Sequence, residues 1–195
     1  MHAVVREVPA QWLEERARLG LDRLDEVWEG VLHMPPAPGR IHQSVGTALT
    51  MFLGPELAAR KIKLQYETEV HRPGAGGSDY RVADLVFFRE DQPGLALTAR
   101  GFEGAPLAVL EILSPNDETH EKLDFYAALG VAEVIVIDPH SRRAEIFRLA
   151  GSRYVAVSAD DRGRVHAASL DARFSTVPGD EPALRVECGG AVRDV

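Results

Sequence analysis

Two short apolar runs, Ala83 to Phe88 and Leu107 to Leu113, each hold one acid where a buried strand leaves no room for an unpaired charge. A carboxylate taken out of water without a partner either neutralises or must be met by a cation, a metal or hydrogen-bond donors. Both runs are β-branched or aromatic and bounded by turn residues, Gly74 to Ser78 before the first and Gly101 to Pro106 before the second, so each reads as a buried strand. Paired antiparallel, the start of the first lies beside the end of the second, which brings Asp84 near Glu111. Alternation puts Val109, Glu111 and Leu113 on one face. The two acids then converge on one point.

The segment after Glu111 offers a third group. Ser114-Pro115-Asn116-Asp117 stops the strand and opens a helix, with Asn116 or Asp117 placed to cap it and Glu118 and Glu121 in the first turn. The helix should end near Gly130. Lys122, Tyr126 and Leu129 recur at helical spacing, so Lys122 sits on or beside the inward stripe and can reach the sheet. Only three lysines, Lys61, Lys63 and Lys122, stand among 22 basic residues. A lysine is a compact charge with an adjustable pKa, suited to contact with a water or hydroxide. Structural readings compete: a buried Glu111–Lys122 ion pair, Asp84 as a strand-end cap, Lys122 paired with Glu118 on an exposed helix, and Tyr126 as core.

In this order the residues resemble a known family. Ala83-Asp84-Leu85-Val86, the run from Ala105 to Pro115 with Glu111 inside it, Lys122 and Tyr126, Gly130-Val131-Ala132-Glu133-Val134 and Ile137-Asp138-Pro139 look like the Uma-type branch of the PD-(D/E)XK nuclease superfamily, bacterial restriction-endonuclease-like proteins. Glu26-Val27-Trp28-Glu29-Gly30, Met34-Pro35-Pro36 and His42 are similar to its opening segment, so the likeness covers roughly residues 10 to 175. Two departures stand out: Ala83 replaces the proline of the motif, and Leu113 replaces the lysine two residues after Glu111. Lys122 on the following helix takes that role in the resemblance. The implied fold is α/β, a restriction-endonuclease-like core with helices flanking a central mixed sheet, in the order helix, three strands, helix, strand.

An all-oxygen site of two carboxylates and a main-chain carbonyl suits Mg²⁺ or Mn²⁺ rather than zinc. The expected ligands are Asp84, Glu111 and the carbonyl of Ile112; Lys122 orients the attacking water or stabilises the transition state, and Glu26 is the extra carboxylate, direct or through a metal-bound water. The implied activity is a nuclease, with DNA ahead of RNA as substrate. The alternative is a catalytically silent binding or regulatory module that keeps the fold, and a homodimer is open to either.

The whole chain fits one domain over residues 1–195. No apolar run approaches membrane-spanning length and the start has no signal-peptide core, so cytoplasm is expected and no membrane contact. The lone Cys188 excludes an internal disulfide and reads as an inert thiol near a frayed end. A net charge of −8 argues against broad, tight binding to duplex DNA. Local basic clusters, Arg60 to Arg81 and Arg142 to Arg153, could still form a face. Further elements are a helix over Pro9 to Leu19, one strand over Leu24 to Met34, a helix over Ile41 to Arg60 broken near Pro55, a strand over Lys63 to His71, a short helix within Arg89 to Pro106, strands over Val134 to Asp138, Arg143 to Leu149 and Tyr154 to Val157, and a C-terminal part of short strands and tail. Gly74 to Gly77 reads as a hairpin turn, since no Lys-Ser/Thr follows it. His42, near the start of a helix, is placed where it could approach the site but reads first as a capping or surface residue, and His120 as solvent-exposed.

Overall fold

The computed structural model describes residues 3–6, 8–115 and 118–195. Strand β1 (Ala3–Val5) and helix α1 (Ala10–Arg18) precede a hairpin of β2 (Glu26–Trp28) and β3 (Val31–Met34). Helix α2 (Arg40–Ala58) leads into the long strands β4 (Lys63–His71) and β5 (Tyr80–Phe88). The short strands β6 (Ala96–Leu97) and β7 (Gly101–Glu103) come before β8 (Ala108–Ile112). A 3-10 turn over His120–Lys122 runs into helix α3 (Leu123–Leu129), then β9 (Glu133–Ile137), β10 (Ala144–Ala150) and β11 (Arg153–Ala156). Strands β12 (Val165–Ala167), β13 (Ala172–Val177), β14 (Ala183–Cys188) and β15 (Ala191–Asp194) make a separate antiparallel sheet.

The large mixed sheet is built mostly on antiparallel pairs; β4 and β7 are parallel, and so are β8 and β9, because α3 carries the chain back across one face. On the other face α2 buries Leu49, Leu53 and Leu57 against Leu85, Phe87, Leu110 and Ile135, and Leu170, Phe174 and Val186 of the C-terminal sheet complete that core. The α3 face holds Phe125 and Tyr126 against Val86, Val109, Val134 and Val136. Gly130 ends α3 in the left-handed region at φ 92°, a position that favours glycine. Among the described residues no helix is long and apolar enough to cross a membrane.

Several local expectations need correcting. Leu24 to Met34 is a hairpin and not one strand, because Glu29 and Gly30 both take positive φ, 50° and 87°, the two-residue turn that antiparallel strands favour. Helix α2 continues through Pro55. The segment before β8 carries β6 and β7 instead of a helix, since β7 finds an edge beside β4. The C-terminal part has the expected short strands, which continue to Asp194 in place of a tail, and Cys188 lies in the core rather than at a frayed end. Asn116 and Asp117, the expected caps, lie outside the described residues.

Candidate active site

Strand β5 carries β4 along one edge, with the pairing interrupted at Glu67 and Asp84. On the other edge β2 reaches it at Tyr80 alone and β8 from Leu85 to Phe87. The stretch between faces a gap where no strand supplies main-chain partners, and buried main-chain groups must still be met. Side chains meet them at Val82: its N–H donates to Glu26 Oε1 at 3.0 Å, and its carbonyl accepts from Lys122 Nζ at 3.2 Å.

The β5–β8 register, with Leu85 opposite Leu110, continues to place Asp84 opposite Glu111, so the two acids meet as the antiparallel reading requires. Asp84 Oδ2 accepts the N–H of Ile112 at 2.7 Å, tying the end of β8 to β5. Glu111 is buried, and its Oε1 accepts the Tyr126 hydroxyl at 2.7 Å. Lys122 Nζ stands 2.7 Å from Glu26 Oε1 and 3.4 Å from Glu111 Oε2. The pairing of Lys122 with Glu118 does not form; Glu118 Oε2 lies 2.7 Å from His33 Nδ1. Lys122 thus reaches Glu111 from the helix side, where position 113 offers leucine. Glu26 has a donor on each oxygen, because Trp28 Nε1 donates to Oε2 at 2.7 Å.

Two residues outside the expected site set join the group. His42 is buried, with Nε2 3.2 Å from Asp84 Oδ2, and its Nδ1 has no hydrogen-bond partner among the described residues. The signal was available: His42 shares the inward stripe of α2 with Val45, Gly46 and Leu49. Glu67 falls where the β4–β5 pairing is interrupted, between Tyr66–Leu85 and Thr68–Ala83, and lines the same pocket as Asp84 and Glu111. Its φ of 45° inside a strand is invisible to a reading of hydrophobic pattern. Tyr126 is both core and hydrogen-bond donor.

Three carboxyl groups, Asp84, Glu26 and Glu111, share two basic groups, Lys122 and His42. Burial pushes the Glu111 carboxyl up to about 8; Lys122 opposes this, and Asp84 and Glu26 reinforce it. Burial acts on Lys122 in the opposite sense, yet Glu111, Glu26 and Asp84 outweigh it and hold the ammonium charged. For His42 the Asp84 carboxylate and the Ile112 carbonyl together outweigh burial and raise its pKa. These groups form the floor of a pocket of about 100 Å³ rimmed by Pro35, Pro36 and Pro38.

Several cations of the basic clusters are engaged by acids among the described residues. Arg81 is buried between the rings of Trp28 and Phe125, 4.4 and 4.2 Å away, and bonded to Asp79. Arg72 also pairs with Asp79, Lys63 with Glu90 and Arg148 with Glu133. His120 is half exposed.

None of the curated proteins matches the chain in sequence. Among solved structures, the one described as a "putative nuclease belonging to DUF820 from Anabaena variabilis ATCC 29413" is similar, with a TM-score of 0.60 and 16% identity over 75% of this chain and 83% of that one. At that identity the likeness speaks for a shared fold. The model of the family described as "Uma2: Putative restriction endonuclease" matches residues 15–176, a span that includes Glu26, His42, Asp84, Glu111 and Lys122. The chain therefore belongs to the Uma2 family.

Proposed function

We propose that this protein is a divalent-metal-dependent nuclease that hydrolyses phosphodiester bonds of nucleic acid, DNA ahead of RNA. The observation that carries it is the meeting of Asp84, Glu111 and Lys122, from two strands and the turn before α3, on the lining of one pocket. The family's description, "Putative restriction endonuclease", and the neighbour's title, "putative nuclease", support the same reading.

The residues fit a hard cation. Among the described residues no three acid or histidine side chains gather at metal-ligand distance, and Mg²⁺ needs fewer, since it is usually held by one or two carboxylates, substrate phosphate and waters. Asp84 and Glu111 would be those carboxylates, with the Ile112 carbonyl beside them. A divalent ion bound there supplies Lewis-acid polarisation of a phosphodiester and a more acidic water. Lys122, fixed by Glu26 and the Val82 carbonyl, holds a proton and a positive charge beside the same pocket, placed to orient the attacking water and offset charge on the phosphate oxygens. Tyr126 keeps Glu111 in one orientation. Glu26, its oxygens both occupied, acts through Lys122.

Calorimetric titration with Mn²⁺ tests the site. The wild type should bind saturably, Asp84→Asn should lose that binding, and Lys122→Ala should keep it while no longer cleaving oligonucleotides that the wild type cuts. A folded wild type that binds no Mn²⁺ even beside an oligonucleotide, or a Lys122→Ala variant that cuts as fast as wild type, would overturn the proposal.

A further inference from the structure

A second hollow opens beside the catalytic pocket and shares a wall with it. It measures about 620 Å³, within the roughly 300–1,000 Å³ usual for small-ligand sites, and has Leu24, Pro35, Pro38 and Glu67 in common with the first. Glu67 is the partition. Its backbone holds φ at 45°, a conformation that non-glycine residues adopt at a cost and that gathers at functional sites. The partition is wired to the far side: Glu67 Oε1 accepts from Gln43 Nε2 at 2.9 Å, Gln43 Oε1 accepts from the Tyr66 hydroxyl at 2.9 Å, and Glu67 Oε2 accepts from Arg23.

The charges around the two hollows are unequal. Lys122 is bound to Glu26 and Glu111, and Arg16 is locked to Asp25 by two hydrogen bonds of 2.8 Å. Arg23 has one acid partner among the described residues, and its side chain is 71% exposed. Beside it Leu21 is 57% exposed and, with Leu24 and Met34, gives an apolar shelf. One outward cation next to an apolar shelf matches one phosphate next to one base face. In a duplex that base face is stacked away, and further phosphates would meet a chain of net charge −8.

Building on the nuclease reading, we propose that this groove is the subsite for an unpaired nucleotide flanking the scissile phosphodiester, with Arg23, tethered by Glu67, on its phosphate. The substrate class is single-stranded nucleic acid, or a duplex with locally unpaired ends. The bases are not read by Gln43 or Tyr66 alone, since their mutual hydrogen bond is already made; the shelf takes any base by its face.

The test uses the full chain with Ca²⁺ in place of Mg²⁺ and measures fluorescence anisotropy of a labelled single strand of about twelve nucleotides, alone and annealed to its complement. The single strand should bind at least about ten-fold tighter than the duplex. Its log affinity should fall with log salt at a slope of about −0.7 to −1.4, one or two phosphates, and Arg23→Ala should remove about 0.7 of that slope while Arg23→Lys keeps it. Equal or tighter duplex binding, or an unchanged slope in Arg23→Ala, would overturn the subsite and leave the nuclease proposal standing. Binding of neither oligonucleotide by the folded protein would overturn both.

Discussion

Lys122 keeps its charge in a place where burial works against charge, and Glu26 does much to hold it so. A buried ion pair seldom stabilises a protein on balance, but removing one member leaves the other uncompensated. Here the lysine is shared by two acids and the Val82 carbonyl, so its position is over-determined. Glu26→Gln separates two roles that a carboxylate near a metal site could play. Acting through the lysine, Glu26 is a positioning residue, and its loss should lower turnover by about 10–100-fold, the range for groups that orient a ligand or catalytic residue from behind, while Mn²⁺ affinity changes by less than about three-fold. A fall in Mn²⁺ affinity as large as the fall in turnover would instead make Glu26 a ligand. Asp84→Asn in the same titration gives the size of the loss expected when a ligand is removed.

At the level of elements, the site exists because β2 and β8 share one edge of β5 without meeting. That gap could not be read from the chain. The alternation of Val27, Glu29 and Val31 runs straight across the Glu29–Gly30 turn, so hydrophobic pattern alone makes one strand of what is a hairpin. The parts that could be read were those where chemistry conflicts with environment: an acid in each of two apolar strands, whose register follows from antiparallel pairing, and an inward lysine after them, expected on a helix and found in the 3-10 turn that leads into it. His42 belonged to the same kind of signal on α2. Glu67 did not, because its strain is a backbone property. The C-terminal sheet was obscured by its composition, since alternation of Ala172, Phe174, Leu184 and Val186 in short, turn-rich strands becomes clear only against the α2 face they pack on. Helix α2 also sets the groove: Gly46 lets the Tyr66 ring lie against it, and a Cβ there would come within 2.7 Å of the ring. Gly46→Ala should therefore destabilise the fold by about 1–2 kcal/mol, the overpacking cost less the gain in helix propensity, read as a lower urea midpoint at unchanged m-value. A stabilised variant would show that the Tyr66 ring is free to move aside.

Across the whole molecule the net charge of −8 hides how the acids are used. Many are buried ties between elements rather than a solvated coat. Glu133 accepts from Arg148 on β10 and from the N–H groups of Ala168 and Ser169, joining the large sheet to the C-terminal one. Glu69 on β4 accepts from His71 Nε2 at 2.7 Å and Arg100 Nε at 2.8 Å, and Asp79 takes Arg72 and Arg81. Burial would raise the Glu69 carboxyl, but the hydrogen bonds from His71 and Arg100 outweigh it and hold it below its ordinary 4.5; Asp79 is likewise held below 3.8 by its arginines and the Glu29 N–H. A carboxyl whose folded pKa is depressed binds its proton more readily when unfolded. Its contribution is therefore full above the unfolded value and is lost as pH falls through the folded one. Glu69→Gln should cost about 2 kcal/mol at neutral pH, the scale of hydrogen bonds to a charged group. In urea titrations over a pH series, the gap between wild type and variant should stay constant down to about pH 5 and close below it. A gap that persists undiminished into strong acid would mean that shape and neutral hydrogen bonding, rather than the charge of Glu69, hold β4 to the segment carrying Arg100.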